Sequence, residues 1–304
     1  MSRRWVIMGL VITASVIMAH ALLSCSTRRP ASTGKIEAFA SIVPQAYFVE
    51  RIGGGRVEVQ ALAKPGSSPA TYEPTPRQMA ALSEAKLFFR IGVPFENAFL
   101  PKIEETMKGL RIVDTRKGIT LREMKAHHHH GECEDHQHKG GDDPHIWLNP
   151  RLVKLQARTI ADALIEVDPD GKDVYEKNLA AFLKDLDALD AKLTEALAPV
   201  KGKTFLVFHP AWGYFADAYG LKQEPIEIEG KEPSAQQLAR IIEQAKKEDV
   251  RIIFVQPQFS QASAQTVAKA ISGAVVPIDP LARDYIGNLQ SVATKVSATL
   301  EEQQ

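Results

Sequence analysis

The sequence predicts an α/β protein with two lobes, each a parallel β-sheet flanked by helices, joined by a long rigid helix. Three observations predict it. Short apolar strands alternate with helical patterns through both halves, as parallel sheets covered on two faces require. The run Lys203–Phe208 (KTFLVF) is almost continuously apolar, as a strand buried on both faces is. Between the halves, Tyr175, Leu179, Phe182, Leu183, Leu186, Leu189 and Leu193 recur at spacings of three and four, which marks one amphipathic helix.

In the first half the elements come in order. Lys35–Ala40 reads as a strand, followed by a helix from Pro44, where a proline suits the first turn, ending at Gly53–Gly55. Strands are expected at Val57–Leu62, Lys86–Ile91 and Arg111–Asp114, with a helix at Pro76–Glu84. A further helix starts near Pro150, and the linking helix covers 173–198, about 39 Å at 1.5 Å per residue. A strut of this kind limits how far two lobes can hinge.

The second half repeats the pattern after Lys203–Phe208. Ser234 caps a helix running to about Glu248, and Arg251–Gln256 and Ala274–Ile278 read as strands. Helices are expected at Gln261–Ile271 and Asp284–Leu300. The predicted organisation is a signal at 1–25, a tether at 26–35, an N-terminal lobe at 36–172, the linking helix at 173–198 and a C-terminal lobe at 199–304. A histidine-rich loop over 126–142 belongs to the first lobe.

Residues 1–25 combine Arg3 and Arg4 with an apolar core and a small residue before Cys25, the layout of a secretory signal. Leu22-Leu23-Ser24-Cys25 resembles a bacterial lipobox, which makes Cys25 the expected lipidation point, with a soluble exported protein as the alternative. Export to the periplasm or to the outer face of the cytoplasmic membrane is expected, with the membrane engaged only through a lipid anchor. The 304 residues carry 37 Lys and Arg against 37 Asp and Glu, so the chain lacks the excess of positive charge that nucleic acid binding uses. Two cysteines cannot staple a small disulfide scaffold. Gly53-Gly54-Gly55 is a turn, since no G-K-[ST] follows it, so the chain carries no phosphate loop.

The nine histidines are distributed unevenly. His20 lies in the signal, and six more fall in one acidic stretch: His127, His128, His129, His130, His136 and His138, with Cys133 among them. Without hydrophobic period this stretch is no core element, and imidazole and thiolate suit late first-row divalent metals. It is an auxiliary metal-binding loop by this reading, against the plainer one of a solvated loop. His145 and His209 stand apart. His209 directly follows a parallel strand, at the sheet end where open α/β folds bind ligands, and Asp279 follows another strand in AVVPIDPL. If the lobes face each other, His145, His209 and Asp279 converge on one cation, and three N and O ligands suit zinc. Trp147, Trp212, Tyr72 and Phe95 read as packing.

PGSSPATYEPTP (65–76), DPHIWLNP (143–150), FHPAWGYFADAYGL (208–221), EPSAQQL (232–238), FVQPQFS (254–260) and IDPLA (278–282) together resemble one family, over about 36–302. It is that of the metal-binding solute receptors of bacterial ABC importers, cluster A-I, and the chain looks most like their zinc-uptake type. The resemblance implies metal held between two lobes and delivered to a membrane permease driven by a separate ATPase, by a receptor expected to be monomeric and to do no chemistry. It implies His145 and His209 as ligands and Asp279 as a fourth, with zinc as cargo. Ala70 departs from the pattern, because it stands where the family carries a ligating histidine. Water, a loop His, Cys133 or Glu73 are the candidates to fill that position, or tight binding is lost. The alternatives are a periplasmic zinc buffer or metallochaperone using the loop, a receptor for manganese or another divalent metal, and a zinc hydrolase. The absence of an H-E-x-x-H signature opposes the last.

Overall fold

The structure is a computed structural model that describes residues 34–124, 141–227, 234–247, 250–259 and 261–301. The signal, Cys25, the histidines of the loop and Cys133 lie outside the described residues. Residues 36–304 form one compact unit.

The first sheet contains β1 (Ile36–Ala40), β2 (Val57–Ala61), β3 (Leu87–Arg90) and β4 (Arg111–Asp114), ordered β2-β1-β3-β4 with every pair parallel. Its crossovers carry α1 (Val43–Gly53), α2 (Pro76–Glu84) and α3 (Glu96–Thr106). Thr75 caps α2 with a capping box to Gln78 and Pro76 fills the first helical position, which explains the sharp start read from sequence. Helix α3 was not legible in the sequence because Pro101 sits inside it.

Then follow α4 (Pro150–Val167) and α5 (Lys172–Leu197). The linking helix α5 keeps the expected 26-residue length, starting and ending one residue earlier than read. Its apolar stripe is buried at Tyr175, Phe182, Leu186, Leu189, Leu193 and Leu197, while Leu179 and Leu183 lie at the margin of the core. An aromatic group of Tyr47, Phe48, Phe182 and Tyr285 ties α5 to α1 and to the last helix. The strut therefore packs along its length against the lobes it joins.

The second sheet contains β5 (Thr204–Val207), β6 (Lys222–Pro225), β7 (Ile252–Val255) and β8 (Ala274–Pro277), ordered β6-β5-β7-β8 and again wholly parallel. Its helices are α6 (Gly213–Tyr219), α7 (Ala235–Lys247), α8 (Gln261–Ala270) and α9 (Tyr285–Glu301). Strand β6 reads KQEP and escapes hydrophobic patterning because it is a half-exposed edge. Ser234 caps α7 as expected, its hydroxyl accepting from the backbone of Gln237. The two sheets share strand order, so each presents the carboxyl end of its strands as a ligand crevice. No described helix is long and apolar enough to cross a membrane.

Candidate metal centre

His145 enters the centre through the segment Asp142–Asn149, which leads into α4. Asn149 caps that helix by accepting from Arg151 N, and Ile146–Leu148 make a turn of 3-10 helix before it. The motif DPHIW is therefore a tight, buried corner rather than a loop. Trp147 is 1% exposed, its indole donates to Pro280 O at 2.7 Å, and its own carbonyl accepts from the Tyr285 hydroxyl at 2.8 Å. Those two bonds fix the corner against the segment after β8 and against α9.

His209 follows β5, between the strand and α6. Trp212, at the start of that helix, is fully buried. Both tryptophans are packing residues, as read from sequence.

The two imidazoles meet. Their ring centroids are 5.3 Å apart with an interplanar angle of 70°. Two imidazoles on one tetrahedral zinc, with Zn–N near 2.1 Å, hold their ring centres on the order of 5 Å apart. The observed spacing is compatible with two ligands to a single ion.

Each ring is held by a buried carboxylate that sequence reasoning did not assign. His145 Nδ1 lies 2.7 Å from Asp143 Oδ1, and the same oxygen accepts from His145 N at 3.0 Å. His209 Nδ1 lies 2.9 Å from Glu227 Oε2. A carboxylate at Nδ1 favours the tautomer protonated there, so Nε2 keeps the lone pair that a metal needs. Asp143 could have been found from its place two residues before His145. Glu227, in the stretch IEIEG, carries no such signal. Both carboxylate side chains are 3% exposed, so the centre concentrates negative charge where a cation would be desolvated. Arg122 offsets part of that charge, with Nε 3.7 Å from Asp143 Oδ2.

Burial lowers the pKa of His145, the contacts with Asp143 raise it, and the neighbouring His209 lowers it; the net direction is downward from 6.5. Above pH 6.5 this direction favours the uncharged ring, the form that binds metal.

Asp279 sits after β8, where its Oδ1 accepts from Gln258 Nε2 at 2.9 Å and from Leu281 N at 2.9 Å. Among the described residues no set of three His, Cys, Asp or Glu side chains is grouped to hold an ion, so the histidine pair stands without a third such partner in this arrangement. Ala70 is exposed on the connection from β2 to α2, its N–H donating to Ser68 Oγ at 3.3 Å, and Glu73 is exposed on the same connection. Phe95 is buried, with Tyr72 edge-on to it at 5.3 Å, as apolar packing.

The family described as ZnuA, zinc-uptake complex component A periplasmic, matches residues 39–299. The chain is similar to the zinc-binding lipoprotein AdcA of Streptococcus pneumoniae, at 34% identity over 86% of this chain and 52% of AdcA. It thus spans about half the length of that relative. It is also similar to the high-affinity zinc uptake system protein ZnuA of Bacillus subtilis, at 31% identity over 86% of this chain and 84% of that protein. Among solved structures, a ZnuA deletion mutant with zinc bound superposes with a TM-score of 0.79 at 44% identity, covering 87% of this chain and 98% of the other. With a match running from β1 to α9 and the paired histidines at its centre, the chain belongs to the ZnuA family.

Proposed function

We propose that this chain is an extracytoplasmic receptor that captures a divalent metal ion, zinc foremost, between its two lobes and delivers it to an ABC importer. The observation that carries the reading is the pair His145 and His209, ring against ring, with a carboxylate on each Nδ1. Two imidazoles beside buried carboxylates favour zinc over harder cations such as manganese, which prefer oxygen ligands. The zinc-binding relatives and the zinc-bound structure support the same cargo.

In this reading His145 and His209 bind through Nε2. Asp279 joins them by turning its Oδ2 toward the ion, since Oδ1 is taken by Gln258 and Leu281. Water completes the tetrahedron where Ala70 withholds a side chain. Residues 36–172 and 199–304 act as the two lobes, with 173–198 as the strut. The receptor works as a monomer without chemistry of its own, exported and held at the membrane through Cys25, and passes its ion to a permease driven by a separate ATPase. The loop histidines, His127 to His138, with Cys133, act as an auxiliary metal-collecting segment.

Zinc titration of the mature protein tests this. One equivalent bound tightly by the wild type and lost in His145→Ala/His209→Ala supports the receptor. No binding tighter than millimolar by the wild type contradicts it.

A further inference from the structure

The parallel ladder between β5 and β7 pairs Val207 with Phe254, and Phe208 N donates to Phe254 O at 2.8 Å. Beyond that rung the backbone of β7 turns away at Pro257, and the side chain of Gln256 continues the ladder in its place. Its Nε2 donates to His209 O at 2.7 Å, and its Oε1 accepts from His209 N at 3.2 Å. One primary amide bonds both polar groups of the His209 backbone, whose carbonyl also accepts from Ala211 N at 2.8 Å. The amide has a single workable orientation, because the reversed one would set N–H against N–H. Gln256 is 0% exposed, so its amide has no alternative partner in solvent.

Three residues on, the ring of Phe259 stacks on the imidazole of His209, centroids 4.8 Å apart at 23°. Between the two, Gln258 donates to Asp279 Oδ1. A single four-residue turn thus touches the backbone of one proposed ligand, the ring face of the same ligand, and the carboxylate of another.

We propose that the turn Gln256–Phe259 is the positioning element of the metal centre, fixing the direction of His209 Nε2 before an ion arrives and holding Asp279 Oδ1 so that Oδ2 is the oxygen left for the ion. With Glu227 on Nδ1, Phe259 on one face and Gln256 on the backbone, His209 has little freedom left to lose on binding. Ordering cost avoided at that moment appears as affinity. The inference rests on the metal-centre reading above.

The experiment measures zinc affinity by competition with a chromophoric chelator and, on the same proteins, the visible ligand-field spectrum of bound cobalt(II). The variants are Gln256→Ala and Gln256→Glu, the second keeping an acceptor for His209 N but setting a carboxylate against His209 O. Gln45→Ala is the control: Gln45 is equally buried, and its amide accepts from Ser41 N and donates to Thr115 Oγ1 in the first sheet. Both Gln256 variants are expected to bind zinc about 10- to 100-fold more weakly, the range for groups that orient metal ligands, and to shift the cobalt spectrum. Gln45→Ala is expected to lower stability while leaving affinity and spectrum unchanged. Wild-type affinity and spectrum in Gln256→Ala, or an equal loss in Gln45→Ala, would overturn the inference while leaving the receptor reading standing. Should Gln256→Ala fail to fold, Phe259→Leu at its half-buried position takes its place, and an unchanged cobalt spectrum there overturns the inference. A wild type that takes up no zinc overturns the receptor reading and this inference together.

Discussion

His145 and His209 stand edge to face, ring centroids 5.3 Å apart, although one opens the segment before α4 and the other follows β5. Each reaches that position with its Nδ1 already engaged, by Asp143 and by Glu227 respectively. The two rings are therefore oriented by their carboxylates, and the behaviour of the pair follows from which groups hold which ring.

The carboxylates are the first place to test. Asp143→Asn and Glu227→Gln keep shape but remove the charge that orients and polarises each imidazole. Each is expected to weaken zinc binding about 10- to 100-fold, measured by chelator competition. His145→Ala and His209→Ala are expected to lose far more. An effect of Asp143→Asn or Glu227→Gln within experimental error would mean that the carboxylates serve folding alone.

Ala70 gives a prediction in the opposite direction. The sequence resemblance puts a ligating histidine at that position, and Ala70 is exposed on its loop, so a larger side chain meets no packing cost there. Ala70→His is expected to tighten zinc binding by about tenfold or more, because one further imidazole shares an apparent binding energy of roughly 10–16 kcal/mol. Isothermal titration of the two proteins side by side decides it, and equal affinities would place residue 70 outside reach of the ion.

The pH dependence follows from the buried ring. His145 titrates below 6.5 in the metal-free protein, with burial as the main cause and Asp143 opposing it. In an unfolded chain the same ring takes a proton near 6.5. Between those two values the unfolded state binds more protons, so stability falls as pH drops through that window and is recovered above it. An NMR titration of the His145 ring in the metal-free protein checks the direction, and a midpoint above 6.5 would contradict it.

Much of the architecture was legible in advance because its causes are local. Pro76 behind a capping Thr75, the stripe from Tyr175 to Leu193, and the apolar run ending at Phe208 each announce an element by themselves. What escaped has a physical reason as well. Pro101 disguises α3, and β6 is a polar edge strand with no inward face to mark it. That His145 and His209 come together was legible, whereas Glu227 and Gln256 were not assigned a role. Their work is done across the fold, on a ring nitrogen and on a peptide group, and neither leaves a periodic trace in the sequence.

Trp147 joins the two halves of the molecule. Its indole bond to Pro280 O is buried, so Trp147→Phe leaves that carbonyl without its donor and is expected to cost about 1–3 kcal/mol. Equilibrium urea unfolding of the metal-free protein measures it. A midpoint equal to the wild type would show that the corner is held by packing alone.

The loop offers a separate test of where metal binds. Deleting residues 127–138 removes six histidines and Cys133. One tight equivalent of zinc is expected to survive, because the histidine pair lies outside the deletion. Loss of all tight binding would move the principal site to the loop.

Diffraction from zinc-soaked crystals, recorded on both sides of the zinc absorption edge, tests the central claim most directly. The account predicts one dominant anomalous peak within bonding distance of both His145 Nε2 and His209 Nε2. A zinc-loaded crystal whose peaks all lie elsewhere, with the two rings unbridged, would contradict it.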